Sequence, residues 1–222
     1  MTSREFRERL IRRARRVDVQ VSQALAGSLE QYYRLLALWN PKINLTGLPL
    51  SPPEDQTFDR LLVEPLVAAR FLPVGDLVGI DVGSGSGSPA IPIALACPSM
   101  RMRMVESKTR KAVFLAEAVR HLPLPHASVE TARFEELLSR PDLHEGADVL
   151  TVRAVRVEAR TLMTLQAFLK PTGELFWFRS AIGPAVPSNI PPPLRWNRTH
   201  PLVEANSSRL VVLSKDLLAS RF

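Results

Sequence analysis

A short glycine-rich run holds the residues of this sequence that are best placed to do chemistry. Asp81 is followed by Gly83, Gly85 and Gly87, so three of the ten glycines in the chain fall within five positions. The run comes after an apolar stretch typical of a strand and before a stretch typical of a helix. Backbone without Cβ reaches positive φ and lets a ligand approach closely, and the first turn of a helix offers unpaired N–H groups. The pattern predicts a loop that binds a nucleotide-like cofactor, with a tight connector that binds nothing as the alternative.

The spacing of the glycines in this loop indicates which class of nucleotide ligand it can bind. The dinucleotide fingerprint G-x-G-x-x-G needs glycine where Ser88 stands, and no Gly-Lys-Ser/Thr follows to complete a P-loop, so a pyrophosphate ligand is disfavoured. Glu106 ends the next predicted strand, 19 residues after Gly87. A carboxylate there can accept two hydrogen bonds from ribose hydroxyls. The alternative for Glu106 is a surface ion pair with Lys108 or Arg110, and a nicotinamide enzyme would use the same acid.

The elements that must position these residues follow from the pattern of apolar runs. From Leu77 onward, short apolar runs alternate with helix-length stretches, which predicts βαβ units and a parallel sheet. The predicted strands are 77–82, 101–106, 128–131, 148–152, 174–178, 195–202 and 209–213. We therefore expect an α/β fold in which residues 71–222 form a Rossmann-like, doubly wound and mostly parallel sheet.

Residues 1–70 are predicted to form a helical extension that precedes the sheet. One amphipathic helix is expected to end near Trp39, because Asn40 precedes a proline and is pushed out of the α region. A second helix is expected at 57–71, with a kink or break near Glu64 because Pro65 lies within it.

Charge indicates a polyanionic partner. Lys and Arg number 29 against 22 Asp and Glu, which gives a formal charge of +7 and makes nucleic acid the first candidate. Seven arginines lie in residues 2–17, a density typical of a solvated helix face or a frayed arm and also of contact with phosphates. Arg195, Arg198 and Lys42 are further candidates for phosphate contact. Trp39 and Trp196 are expected to anchor the core rather than to stack on a base.

Composition also sets limits on location and on metal chemistry. The single cysteine, Cys97, excludes an internal disulfide, and four histidines beside it leave no cysteine-rich metal cage. No apolar stretch approaches the roughly 18 residues that span a bilayer. We expect a cytoplasmic protein without a metal.

Several segments together carry a resemblance to a known family. The acid-x-Gly-x-Gly-x-Gly order that begins at Asp81 resembles the first motif of Rossmann-like methyltransferases, which bind S-adenosylmethionine. In order and spacing, further segments resemble the RsmG (GidB) family, bacterial enzymes that methylate N7 of a guanine in a decoding-centre loop of small-subunit ribosomal RNA. The segments are Trp39-Asn40, Ile43–Thr46, Asp81–Pro92, Val105–Leu115, Arg133–Glu135, Arg153-Ala154 and Arg209–Val212.

The resemblance implies an S-adenosylmethionine-dependent rRNA (guanine-N7) methyltransferase. Its partner would be 16S rRNA or the assembled small ribosomal subunit, and we expect a monomer. The family's cofactor contacts would fall at Gly83, Ser88, Phe134, Glu135 and Arg153. The loop and strand-end arguments add Gly85, Gly87 and Glu106 to the predicted cofactor site.

Two of these residues keep a second interpretation. Core packing explains Phe134 as well as a contact with adenine does. Arg153, at the end of the fourth predicted strand, suits a cofactor carboxylate or an RNA phosphate. It can instead form a salt bridge to Glu158 or Asp148.

The sequence departs from the family pattern near the predicted site. Leu61 stands where a histidine is usual, and Glu64-Pro65 where an Asp-Ser pair is usual. Leucine neither hydrogen-bonds nor titrates, so any substrate contact made by that histidine is missing. Ser88 replaces an apolar residue, and Arg179 stands where lysine is common, which keeps the charge but not the compact ammonium.

The implied reaction needs no general base, because guanine N7 carries an in-plane lone pair and no proton. Catalysis would consist mainly of positioning, for which Arg153 and Arg179 are the candidates, and no other catalytic residue is assigned. Two alternatives stay open at this point. One is a nucleotide-dependent oxidoreductase on the same fold, and the other is a non-catalytic RNA-binding relative.

Overall fold

The computed structural model describes residues 1–155, 157–180, 182, 184 and 186–216 of the 222-residue chain. Its helices are α1 (Ser3–Arg15), α2 (Gln23–Ile43), α3 (Asp55–Phe58), α4 (Glu64–Ala69), α5 (Ala90–Ala96), α6 (Thr109–His121) and α7 (Ala159–Leu165). A π-helix at Asp59–Val63 joins α3 to α4. The strands are β1 (Val78–Val82), β2 (Arg101–Val105), β3 (Ala127–Glu130), β4 (Ala147–Arg153), β5 (Leu169–Ser180), β6 (Leu194–Pro201) and β7 (Ser208–Lys215).

The strands form one sheet in the order β3-β2-β1-β4-β5-β7-β6. The first five in this order are parallel, while β7 is antiparallel to both β5 and β6. The predicted strands and the predicted Rossmann-like, mostly parallel sheet are confirmed, although β5 begins at Leu169 rather than at Glu174. The chain runs outward from β1 to β3 and then returns to the other side of β1 at β4. The carboxyl ends of β1 and β4 therefore flank the crevice in which open α/β sheets bind ligands.

The end of α2 differs from the prediction. The helix continues past Trp39 and Pro41 to Ile43. Asn44 takes a left-handed conformation with φ +49° and donates its N–H to Asn40 O at 2.9 Å. The Asn40 side chain accepts from the backbone N–H groups of residues 45 and 46, both at 2.8 Å. This capping network holds the last turn, and it outweighs the bias that the proline places on the residue before it.

The predicted irregularity near Glu64 is confirmed. Glu64 N–H donates to Asp59 O, five residues back, which is the π-helical register. Pro65 has no N–H and so cannot restore the α register at the next step. The helical segment therefore changes register where α4 begins.

The hydrophobic core joins the helical extension to the sheet. Among its fully buried side chains are Leu29 and Tyr32 of α2, Phe58 of α3, Phe114 of α6 and Phe176 of β5. Burial of side chains of this size stabilises the fold by about 1.5–3 kcal/mol each. The division of the chain near residue 70 stays a prediction, and residues 217–222 of its second part lie outside the described residues. None of the described helices is both long enough and apolar enough to cross a membrane.

The arginine-rich start is an ordered helix, so its interpretation as a frayed arm is wrong. The Thr2 hydroxyl accepts from Glu5 N–H at 3.3 Å, and the Glu5 carboxylate accepts from Thr2 N–H at 2.8 Å, which forms a capping box. Phe6, Leu10 and Ala14 are buried on one side of α1. The buried side fixes α1 on the core and leaves the opposite side solvated.

Candidate functional site

The glycine loop between β1 and α5 has the backbone that its residues predict. Gly83, Gly85 and Gly87 have φ values of +73°, +50° and +87°, which other residues rarely adopt. A Cβ at Gly83 would lie 2.7 Å from Val155 Cγ2, so space also requires bare backbone there. The Tyr32 hydroxyl donates to the carbonyl of residue 86 at 2.8 Å. This bond ties the loop to α2.

Glu106 follows β2 directly and contacts the loop. It is 6% exposed, so the alternative interpretation as a surface acid paired with Lys108 or Arg110 is wrong. Its Oε2 accepts from Gly85 N–H at 2.9 Å, and its Oε1 accepts from Lys108 N–H at 2.8 Å. These bonds hold the carboxylate in one orientation and leave lone pairs on both oxygens for ribose hydroxyls.

The loop and Glu106 line a cavity of about 690 Å³ at the carboxyl end of the sheet. Its described lining carries two acids, Glu64 and Glu106, and five cations: Arg60, Lys108, Lys111, Arg153 and Arg179. The surplus of positive charge suits an anionic ligand or substrate.

Most of the predicted site residues meet in this cavity. Those that line it are Gly83, Gly85, Ser88, Glu106, Arg153 and Arg179. Within the described part of the chain, three predicted residues are not among the lining. Gly87 supports the loop, with its carbonyl accepting from Ile91 N–H at 2.7 Å. Phe134 packs half-buried against the core beside β4, and Glu135 is exposed in the turn after β3.

Arg153 has a different partner from the two that the sequence suggested. It forms a short ion pair with Glu64, and Asp148 instead pairs with Lys170 at 2.8 Å. The Arg153 guanidinium also lies 4.6 Å from the centre of the Phe178 ring. Burial lowers the pKa of Arg153 from its ordinary value, and the Glu64 carboxylate opposes that shift.

Sequence reasoning missed Glu64 as a site residue. Its side chain is 2% exposed, and its Oε1 accepts from Ser208 Oγ at 2.7 Å and from Asn206 Nδ2 at 3.0 Å. The signal was present, because Glu64 interrupts an apolar run from Leu61 to Val67. A carboxylate in such a run needs a buried partner.

Arg179 lies at the end of β5, and one nitrogen of its guanidinium is available to donate a hydrogen bond to a ligand. Its guanidinium is 4.4 Å from the centre of the Trp177 ring. The buried Nη1 has no hydrogen-bond partner among the described residues. Burial, with the nearby charge of Arg209, lowers the pKa of Arg179. An acceptor on a bound ligand would satisfy this nitrogen.

Asp81 provides a pH-dependent test of the loop. It is 1% exposed, its Oδ1 accepts from Thr151 Oγ1 at 2.5 Å, and its Oδ2 has no partner among the described residues. Burial raises the pKa of Asp81 from 3.8 to about 6. The folded state therefore binds the proton more tightly, and stability that is fully present below pH 3.8 is lost as the pH rises through 6.

We expect the wild type to lose about 3 kcal/mol of unfolding free energy, relative to Asp81→Asn, between about pH 3 and pH 7. The asparagine keeps an acceptor for Thr151 and does not titrate. Urea unfolding of both proteins across this range measures the difference. A difference that stays constant with pH contradicts the assignment.

Much of the arginine-rich start is neutralised within the protein. Glu30, Asp55 and Asp59 pair with Arg7 at 2.9 Å, Arg9 at 2.6 Å and Arg13 at 2.5 Å, respectively. The exposed arginines of the run are Arg4, Arg12, Arg15 and Arg16. Phosphate contact by this segment is therefore expected from the solvated side of α1.

Two expectations for the last strands are wrong. Because β6 runs in the direction of β5, Arg195 lies at the end of the sheet opposite to the cavity, so it cannot follow phosphates around the crevice. Trp196 is 41% exposed and does not anchor the core. Trp39 does, since it is half-buried with its ring centre 6.0 Å from that of Phe114.

Comparison with known proteins places the chain in a family. A family model described as rRNA small subunit methyltransferase G (GidB) matches residues 26–182. A protein of Dichelobacter nodosus named ribosomal RNA small subunit methyltransferase G is 40% identical over 148 residues, which cover 67% of this chain and 66% of that protein. A protein of the same name from Xanthomonas campestris pv. campestris is 34% identical over 194 residues, covering 86% and 87% of the two chains.

Solved structures agree on the fold. A SAM-dependent methyltransferase from Aquifex aeolicus superposes with a TM-score of 0.55 at 15% identity, covering 72% of this chain and 93% of that chain. The predicted methyltransferase fold is thereby confirmed. The predicted family, the enzyme class and S-adenosylmethionine as the methyl donor are confirmed by the family match and the relatives. This chain belongs to the rRNA small subunit methyltransferase G family.

Proposed function

We propose that this protein transfers the methyl group of S-adenosylmethionine to N7 of a guanine in the 16S rRNA of the small ribosomal subunit. The observation that carries the proposal is the cavity itself. A bare-backbone loop, an oriented carboxylate and five cations line it together. Family membership supplies the reaction class, and the cavity supplies the means to bind both a nucleoside and a polyanion.

The residues of the cavity fit S-adenosylmethionine. Glu106 would accept the ribose hydroxyls, and the bare backbone of Gly83 and Gly85, which line the cavity, would lie against the nucleoside. Ser88 and Arg153 would complete the pocket on the side of α5 and β4. When bound, the cofactor supplies an electrophilic methyl group on a sulfonium centre. Phe134 and Glu135 stay cofactor contacts predicted by resemblance alone.

The cations of the lining other than Arg153, which pairs with Glu64, would bind the RNA. Arg60, Lys108 and Lys111 line the cavity, and Arg179 offers its Nη1, which has no partner among the described residues. Guanidinium and ammonium groups in this arrangement suit phosphates that flank a base splayed into the cavity. Leu61 lines the cavity beside these charges and is 4% exposed. Its apolar side chain can pack against a substrate but cannot transfer a proton.

Methyl transfer to the small subunit tests the proposal. Tritiated S-adenosylmethionine should label 16S rRNA or assembled small subunits from bacteria that lack the modification, and digestion should release 7-methylguanosine. Naked rRNA and particles are assayed side by side, because both are predicted partners. A protein that binds the methyl donor but labels neither one overturns the substrate assignment, and RNA binding without turnover would indicate a non-catalytic relative.

The cellular location and the oligomeric state of the protein stay predictions. An enzyme that acts on ribosomal subunits works in the cytoplasm, where we expect this protein. We expect a monomer in solution, which light scattering measures.

A further inference from the structure

Two backbone carbonyls of the π-helix accept hydrogen bonds from side chains that line the cavity. Arg60 O accepts a short hydrogen bond from Arg153 Nη1, and Leu61 O accepts one from Ser88 Oγ at 3.0 Å. All four residues line the cavity. One wall of the site therefore consists of the π-helix and of two side chains that it orients.

Both carbonyls lack the donor that a regular α-helix would give them. In an α-helix, Arg60 O would accept from Glu64 N–H, and Leu61 O would accept from residue 65. Glu64 N–H instead donates to Asp59 O, and Pro65 has no N–H to give. The π register therefore removes the α-helical donor of Arg60 O, and Pro65 removes that of Leu61 O. Both carbonyls point to side chains of the cavity, in line with the frequent occurrence of π-helices at functional sites.

The first residue of the π-helix is fixed by α1. The Asp59 side chain is 3% exposed and accepts from Arg13 Nε at 2.6 Å and from Arg13 Nη2 at 2.5 Å. Arg13 also contacts Asp55 one turn earlier, and Arg9 pairs with Asp55 at 2.6 Å. Both the arginines and the acids are four residues apart, so they form matching rows on the two helices. The whole of α1 precedes residue 26, where the family match begins.

We infer that Arg13 and Asp59 are positioning residues, through which the N-terminal helix holds the π register and thereby orients Arg153 and Ser88 in the methyl-donor pocket. The inference rests on the proposed function for the identity of the ligand. Loss of Arg13 leaves the Asp59 carboxylate buried and unpaired. The π segment then relaxes away from it, and the two carbonyls move with the segment.

A matched pair of variants tests the inference. Arg13→Met removes the ion pair to Asp59. Arg7→Met changes another arginine of α1 and breaks its ion pair to Glu30 of α2, which is not part of the π-helix. In Arg13→Met, the dissociation constant for S-adenosylhomocysteine should rise about tenfold, within the range seen for positioning residues. Amide exchange in residues 59–64 should also accelerate. Arg7→Met should leave both quantities within about twofold of wild type.

A second, milder substitution of Arg13 keeps the test informative if Arg13→Met does not fold. Arg13→Lys keeps the charge but lacks the two-pronged donor, so it should shift binding and exchange in the same direction with less loss of stability. If the melting temperature falls while affinity and exchange stay as in wild type, the pair is only structural and the inference is wrong. If the wild type itself binds no S-adenosylhomocysteine, the proposed function fails. The exchange of residues 59–64 then decides the inference alone, and unchanged protection in the Arg13 variants overturns it.

Discussion

Replacing Glu106 with alanine is expected to weaken the binding of S-adenosylmethionine about 100-fold, which corresponds to about 3 kcal/mol. The carboxylate is held by two backbone amides, at 2.9 Å from Gly85 and 2.8 Å from Lys108. Its remaining lone pairs would accept the ribose hydroxyls. Hydrogen bonds to a charged acceptor contribute about 1.5–3 kcal/mol each, so losing the ribose contacts and the anchor of the loop together gives the stated effect. Calorimetric titration with S-adenosylmethionine measures it, and titration with S-adenosylhomocysteine, which carries the same ribose, should show the same loss.

Two companion variants separate the carboxylate from its surroundings. Glu106→Gln keeps one acceptor oxygen but turns an N–H₂ group toward one of the two amides, so we expect a loss of about tenfold. Glu130 ends the neighbouring strand β3, pairs with Arg103 at 3.1 Å and is not among the described residues that line the cavity. Glu130→Ala should therefore bind as wild type does. Wild-type affinity in both Glu106 variants would exclude a ribose contact at this position.

The parts of the site that were predicted are those in which local backbone chemistry decides the outcome. Gly83, Gly85 and Gly87 predict a loop with positive φ angles, because few other residues tolerate that conformation. The place of Glu106 follows from strand order, since an acid that ends a parallel strand lies at the binding edge of the sheet. Neither argument needs knowledge of distant residues.

The missed contacts are those between residues far apart in the chain. Glu64 and Arg153 are separated by 89 positions, and Arg13 and Asp59 by 46. A charge pattern shows that each of these groups needs a partner, but only tertiary packing selects which one. Phosphate contact was accordingly expected along the whole arginine-rich run, although Arg13 is held by an internal acid.

Glu64→Gln, which removes one partner of the buried Glu64–Arg153 pair, is expected to lower the free energy of unfolding by about 3 kcal/mol. Only 19% of the Arg153 side chain and 2% of the Glu64 side chain are exposed. Glutamine keeps the shape and an acceptor for Ser208 and Asn206, but it leaves the guanidinium without a counter-charge in a poorly solvated place. Removing one partner of a buried pair costs more than the pair itself contributes, because the remaining charge stays desolvated. Chemical denaturation of the variant measures the loss.

A double-mutant cycle identifies the cause of this loss. Arg153→Met removes the stranded charge, so the double variant Glu64→Gln/Arg153→Met should be more stable than the sum of the single losses predicts, by about 2 kcal/mol. Glu8→Gln, which breaks the exposed Arg4–Glu8 pair at 2.8 Å, serves as the control and should leave the denaturation midpoint unchanged, since such pairs contribute little. Strictly additive losses at 64 and 153 would mean that the two groups do not stabilise each other. Arg153 would then be held by the Arg60 carbonyl, the Ser88 hydroxyl and the Phe178 ring.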